Sequence, residues 1–379
     1  MNQETYRKLI SGQSRGLGAA IGRFFLQIAA AGYSSAISLR NLLYSRGWVK
    51  IHRADVPVIS VGNITTGGTG KTPLVIRLCK QIISDSQFQI SNSHCAILTR
   101  GYKTHRALCM IRRAKKRRGT QYAIRNTINE PAVLAESCPG IQVVVNPDRV
   151  AGAEEAVSKF GAKVLIMDDG FQHRRLARDL DIVTIDGTLP FGYGKLLPAG
   201  LLREPVSALK RADAAVITRC DQVTDAELSQ LEDRLKQINP EIVIARSVHA
   251  PVCAKSINDR EISLEELKGK KIFAFCGIGN PDAFFNTIVG LGAELVGSRV
   301  FDDHCHYTDD CLADIYEQAQ RFNADLILTT QKDRVSILSS AMPSASEEMN
   351  FAYLAIELCF ISGEDKITEL IKNALGDRI

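Results

Sequence analysis

The chain has 379 residues, 45% of them hydrophobic, and a formal net charge of +5. That length accommodates two ordinary domains, and so small a charge excludes a protein that grips nucleic acid over its whole surface. Ten cysteines are scattered without a Cys-x-x-Cys pair, and His304-Cys305-His306 has no second ligand pair at zinc spacing. This excludes a disulfide framework and a structural zinc site, and it points to reduced thiols in a cytosolic setting. No cleavable signal peptide is expected.

At the N-terminus, residues 24–39 carry no charge and are flanked by Arg23 and Arg40. The segment is shorter than the roughly 20 residues that span a bilayer. Leu17, Ile21, Phe24, Phe25 and Ile28 share one helical face, and Arg15, Arg23, Arg40 and Arg46 bracket it. The pattern predicts a helix over residues 1–50 lying in a membrane interface, with its arginines on lipid phosphates. A helix packed on a soluble core is the alternative.

Next comes the apolar run Val56-Pro57-Val58-Ile59-Ser60-Val61, and then Thr65-Thr66-Gly67-Gly68-Thr69-Gly70-Lys71-Thr72. Strand, Gly-rich loop and amphipathic helix (Leu74, Val75, Leu78, Ile82) follow in the order a phosphate-binding loop requires. Backbone N–H groups of such a loop close around phosphate oxygens, Lys71 reaches the β- and γ-phosphates, and the Thr72 hydroxyl can bind Mg²⁺. Thr65 stands where the general pattern has Gly.

Strand-like runs then recur at Cys95–Leu98, Val143–Val145, Val164–Met167, Ile182–Ile185 and Ala214–Ile217, with helical patterns between them such as Asp148–Phe160. Strands alternating with helices predict a doubly wound parallel sheet, an α/β/α domain over residues 51–250. A weaker strand, Glu241–Ala245, leads to a polar stretch near Ser256–Leu267. A smaller second α/β domain is expected over residues 251–379. It has strands at Lys271–Phe275, Ala293–Val300 and Asp325–Thr329, and helices through Phe284, Phe285 and Ile288 and over Asp309–Arg321. Gly277-Ile278-Gly279 reads as a strand-to-helix turn. Arg112–Arg118 carries six positive charges in seven positions. Such a run is either a solvated loop or a contact for an anionic lipid or substrate.

The apolar strand ending in Asp168-Asp169 is followed by Gly170-Phe171-Gln172-His173. In enzymes with a phosphate-binding loop, an acid at the end of a neighbouring strand holds the Mg²⁺ that bridges the β- and γ-phosphates. Taken with the loop, these residues resemble a known family. Val61–Pro73, Thr99-Arg100-Gly101-Tyr102, Asp168–His173, Leu197–Pro205, Gly277–Pro281 and Phe301-Asp302-Asp303-His304 look like the motifs of the tetraacyldisaccharide 4'-kinases, in family order. The likeness runs from about residue 17 to the end of the chain, and Thr65 is also the family's habit.

The resemblance implies phosphoryl transfer from ATP to the 4'-hydroxyl of a tetraacylated disaccharide 1-phosphate, an acylated disaccharide lipid. It implies two α/β/α domains and an N-terminal helix at the cytoplasmic face of the inner membrane. The expected partners are the lipid and the membrane surface, with no nucleic acid and a monomeric chain. By motif position, residues 65–72 (Thr65, Thr66, Gly67, Gly68, Thr69, Gly70, Lys71 and Thr72) hold ATP phosphates with Lys71 active in transfer. Thr72, Asp168 and Asp169 surround Mg²⁺, Arg203 and Glu204 lie near the nucleotide, and His304 works with an acid to activate the acceptor hydroxyl. This sequence departs from the family at that acid. In Ile128-Asn129-Glu130-Pro131 the expected aspartate is Asn129, and an amide cannot accept a proton as a base. Three outcomes stay open: Glu130 takes the role, His304 acts with positional help from Asn129, or activity is lost. Gln331 is a milder departure, at a position where the family often has Glu.

Overall fold

The computed structural model describes residues 3–88, 90–101, 130–256, 260–302, 305, 307–338 and 351–376. The basic stretch 103–127, Asn129, the Glu130 side chain and His304 lie outside what the structure describes. In chain order the helices and strands are α1 (Gln3–Ile10), α2 (Leu17–Ser45), β1 (Val58–Gly62), α3 (Lys71–Ser84), β2 (Cys95–Thr99), α4 (Glu130–Ser137) and β3 (Gln142–Val145). They continue as α5 (Arg149–Phe160), β4 (Val164–Asp168), β5 (Leu180–Asp186), β6 (Ala214–Thr218), α6 (Asp225–Ile238), β7 (Val243–Ser256), β8 (Glu261–Ile262) and β9 (Lys271–Cys276). The last are α7 (Pro281–Gly290), β10 (Glu294–Val300), α8 (Asp309–Arg321), β11 (Leu326–Thr330), α9 (Gln331–Leu338), β12 (Phe351–Ser362) and α10 (Glu364–Gly376).

The chain forms two compact units. One comprises Met1–Arg100, Gly140–Val248 and Cys359–Ile379, and the other Gly101–Pro139 and His249–Leu358. The sequence reading placed a boundary near 250, beside the 248/249 division, but it expected contiguous domains. Two segments depart from that expectation for physical reasons. Helix α10 belongs to the first unit: it buries Ile367, Ile371 and Leu375, Arg77 of α3 pairs with Glu364, and Gln81 donates to Thr368 at 2.6 Å. Helix α4 belongs to the second unit, where Arg334 pairs with Glu136 at 3.0 Å.

In the first unit the strands run parallel in the order β3-β2-β4-β1-β5-β6-β7. Strands β1, β2, β4, β5 and β6 are buried along their whole length, which is why they read as continuous apolar runs rather than as alternation. The chain winds away from β1 in both directions, so the carboxyl end of β1 is a topological switch point, where open α/β sheets bind their ligands. Helix α5 has Asp148 as N-cap, accepting from the Val150 N–H, and Gly161 in the left-handed region as its stop. Thr224 and Glu227 form a reciprocal capping box at α6.

In the second unit β10, β9, β11 and β12 are parallel neighbours, and the end of β7 pairs antiparallel with β8. Its core joins Phe273, Phe275, Tyr307, Leu312, Ile315 and Ile337 on one face of the strands. On the other, Ile272, Ala274, Phe284, Ile288 and Leu328 pack together. The turn at Gly277 precedes α7, whose N-cap Asn280 accepts from the Ala283 N–H. Asp333 accepts from the Gly277 N–H, from the Tyr307 hydroxyl at 2.9 Å and from the Thr330 hydroxyl at 2.6 Å. None of the described cysteines forms a disulfide.

Helix α2 is longer than the uncharged segment within it. Leu17, Phe24, Phe25 and Ile28 are 79%, 59%, 64% and 55% exposed. Among the described residues no helix is long and apolar enough to cross a membrane. The opposite side of the helical pair docks on the first unit. The Tyr6 hydroxyl donates to the Pro198 carbonyl at 2.8 Å, the Tyr33 hydroxyl to the Arg203 carbonyl at 2.8 Å, and the Asn41 amide to Glu204 Oε2 at 3.2 Å. Two of the arginines expected on lipid phosphates also bond within the protein. Arg40 donates to the Gln172 carbonyl and lies over the Tyr44 ring, and Arg23 donates to the Ser14 carbonyl at 2.7 Å.

Candidate functional site

The site is built around the turn from β1 into α3. Gly67 and Gly70 take φ of +115° and +86°, which only glycine adopts without strain, and Gly70 is the N-cap of α3. Lys71 and Thr72 therefore occupy the first turn of α3, where backbone N–H groups and the helix dipole favour an anion. Thr65 needs no glycine, because it pairs with Leu202 as a short antiparallel bridge. The Thr66 N–H donates to the Leu201 carbonyl at 2.8 Å, and the Arg203 N–H to the Ile64 carbonyl at 2.7 Å. The Leu197–Pro205 motif thus backs the glycine-rich loop as a strand-like partner, which explains why the two motifs occur together.

Strand β4 lies beside β1 with Asp168 opposite Val61. Asp168 is buried and accepts from the Thr99 hydroxyl at 3.3 Å. Asp169 leaves the strand at φ +52° and turns its carboxylate to two cations. Lys71 Nζ stands 3.5 Å from Oδ1, and Arg203 Nη1 donates at 2.8 Å and 2.9 Å to the two oxygens. Burial pushes the Asp169 carboxyl up, but Lys71 and Arg203 outweigh it and hold the group well below the ordinary carboxylate range. Lys71 and Arg203, expected from the sequence to act on phosphate, and Asp169, expected beside Mg²⁺, are brought together. Among the described residues, no group of three or more His, Cys, Asp or Glu side chains is gathered for a metal ion.

Glu204 has a different surrounding. It is fully buried, paired with Arg211 at 3.1 Å, and it also accepts from Asn41 and from the Gln172 amide at 3.3 Å. Gln172 in turn donates to the Asn63 carbonyl at 2.8 Å. Beside the acids, burial and then Arg149 and Arg100 push the His173 imidazole down to about 4, so it is neutral at pH 7. Arg149, itself buried, donates to the Asp168 carbonyl at 3.2 Å.

Sequence reasoning missed Thr184, Thr218 and Arg219, which hold the loop from behind. The Asn63 amide donates to the Thr69 hydroxyl at 2.8 Å, and that hydroxyl lies 2.7 Å from the hydroxyl of Thr184 on β5. At the end of β6, Thr218 and Arg219 reach the loop carbonyls. The only local signal for Thr218 and Arg219 was position, at the end of the apolar run Ala214–Ile217.

Comparison with known proteins decides the family. A sequence model described as Tetraacyldisaccharide-1-P 4'-kinase matches residues 22–376. The chain belongs to this family. It is 35% identical over 361 residues to the tetraacyldisaccharide 4'-kinase of Halothermothrix orenii, covering 92% of each chain. It is also 35% identical to that of an Anaeromyxobacter strain, covering 95% of this chain and 92% of the relative. Among solved structures, LpxK from Aquifex aeolicus, described as an "apo" form in complex with ATP, superposes with a TM-score of 0.67 at 27% identity. It covers 93% of this chain and 99% of the relative. The chain is therefore a kinase-family member of lipid A biosynthesis, with the phosphate-loop α/β fold expected from its sequence.

Proposed function

We propose that the protein transfers the γ-phosphate of ATP to the 4'-hydroxyl of a tetraacyldisaccharide 1-phosphate, forming the bis-phosphorylated lipid A precursor. The observation that carries this reading is the convergence of Lys71 and Arg203 on Asp169, at the N-terminus of the helix that follows the glycine-rich loop. Two cations held there by one carboxylate are positioned to exchange it for a polyphosphate. Transfer of a phosphoryl group depends mainly on such positioning and charge neutralisation.

Mg²⁺ fits the donor set, since buried Asp168 and the Thr72 hydroxyl at the start of α3 offer the hard oxygens it prefers. Asp168 and Thr72 would hold it, and it would supply positive charge to offset the negative charge of the polyphosphate. Asp169, already shared between Lys71 and Arg203, acts in this reading on the cations as much as on a metal. His304 carries the proton-accepting role by its motif position. The exposed apolar face of α2 supports peripheral attachment to the cytoplasmic face of the inner membrane, where a lipid acceptor resides.

The test is ATP- and Mg²⁺-dependent labelling of the disaccharide lipid by the full chain in detergent, beside an active relative as control. Lys71→Ala should lower turnover by at least about a hundredfold, in line with losing one preorganised charge in a transition-state site. Absence of labelled product from the wild-type chain would refute the reading. Asn129→Asp measures what the amide costs: a large gain in turnover means that a base was lost at that position.

A further inference from the structure

The carbonyl side of the glycine-rich loop is clamped by strand ends that the sequence motifs did not include. Arg219 follows β6 and is buried, and its backbone stands at φ +57°, a region non-glycine residues rarely enter. Its guanidinium is divided between two partners. Nη1 donates to Asp186 Oδ2 at the end of β5, and Nη2 donates to the Gly68 carbonyl at 2.7 Å. Asp186 is fixed in turn, accepting from the Thr188 N–H at 3.0 Å and the Thr188 hydroxyl at 2.7 Å. One residue earlier, the Thr218 hydroxyl donates to the Thr69 carbonyl at 3.1 Å.

In a planar trans peptide the N–H points opposite to the C=O of the preceding residue. Holding the Gly68 and Thr69 carbonyls toward β6 therefore aims the Thr69 and Gly70 N–H groups away from β6, into the concave side of the loop. The Thr69 N–H closes a tight turn on the Gly67 carbonyl at 3.1 Å. A phosphate oxygen approaching the loop would offer that donor a charged acceptor in place of the carbonyl.

We propose that Arg219, with Thr218, is a positioning residue that sets the peptide planes of the phosphate loop, so that loop N–H groups face the polyphosphate of the bound nucleotide. It acts from behind the loop, on the backbone and not on the substrate. The proposal rests on the nucleotide-binding reading above.

The test measures binding of MgATP and of inorganic tripolyphosphate to the full-length protein by calorimetry, together with steady-state kinetics. Arg219→Ala is expected to weaken both ligands about equally, by about tenfold, the worth of one charge-assisted hydrogen bond. Arg219→Lys, which keeps one cationic donor, should recover most of the loss. KM for ATP should rise while KM for the lipid stays fixed. A folded Arg219→Ala protein that binds both ligands as the wild type does would overturn the proposal. So would a loss confined to ATP, because it would mean contact with the nucleoside. If Arg219→Ala fails to fold, Thr218→Val removes only the hydroxyl on the Thr69 carbonyl. It should weaken both ligands several-fold, and unchanged binding by that variant would overturn the clamp. Failure of the wild type to bind either ligand would refute the nucleotide reading itself, which separates the two failures.

Discussion

Gly62→Ala adds one methyl group at the point where β1 meets the turn after the paired acids. The new Cβ would stand 2.5 Å from Phe171 Cβ and 2.6 Å from the Phe171 backbone nitrogen, where ordinary contact begins at 3.4 Å. Neither side can yield easily. Gly62 lies on β1, which is paired with β4 on one side and β5 on the other, and its carbonyl accepts from the Thr184 hydroxyl at 3.3 Å. Phe171 is fully buried against Ile64, Val183, Ile185 and Leu202, with Arg211 over its ring. Overpacking of this kind costs about 1–3 kcal/mol, and a collision with backbone belongs at the upper end. At about 2–4 °C per kcal/mol for a domain of this size, the expected fall in Tm is about 6–12 °C. The damage is also functional, since Phe171 follows Asp169 by two residues and its displacement pulls the carboxylate from Lys71. Calorimetric Tm and the affinity for MgATP should therefore fall together. Gly32→Ala is the control: it lies in α2 with nothing within 4 Å of an added Cβ and should gain about 0.5–1 kcal/mol. A Gly62→Ala protein with Tm and ATP affinity both unchanged would refute the reasoning.

Two further expectations follow from the same geometry. The His173 imidazole has its pKa lowered from 6.5 to about 4, so the unfolded chain binds its proton first as pH falls. The resulting stability is fully present above pH 6.5 and is lost as pH drops toward 4; His173→Gln should flatten that part of the curve, and an NMR titration of His173 with a midpoint near 6.5 would contradict the assignment. Replacing Phe24, Phe25 and Ile28 together by Ser removes an exposed apolar face. It should abolish flotation with phosphatidylglycerol-containing vesicles, because each apolar side chain contributes roughly 1.5–3 kcal/mol when buried. Tm should hardly move, since substitutions at exposed positions fall within about 0.5 kcal/mol; persistence of flotation would remove α2 from the attachment.

Much of this protein was determined by its sequence alone. Apolar runs fixed the strands of the parallel sheet, because a strand buried on both faces needs no alternation. The glycine spacing fixed the loop, since Gly67 and Gly70 must take positive φ before Lys71 can begin a helix. The Asp168-Asp169 strand and the order of the remaining motifs fixed the family. What tertiary structure decided lies in contacts between residues far apart in the chain. Asp169 reads from sequence as an acid at a strand end, and the folded chain brings Arg203, 34 residues on, to donate to both its oxygens. Arg40 reads as a charge flanking an apolar segment, and the fold brings it to the Gln172 carbonyl. Helix α10 reads as part of a contiguous second domain until it packs on α3, and Arg219 carries no motif until its guanidinium is found on Gly68. Local pattern reports which backbone conformation a segment prefers and which face it buries. It does not report which distant carbonyl or carboxylate a long cationic side chain will reach, because that depends on how the strand ends are brought together by the folded sheet.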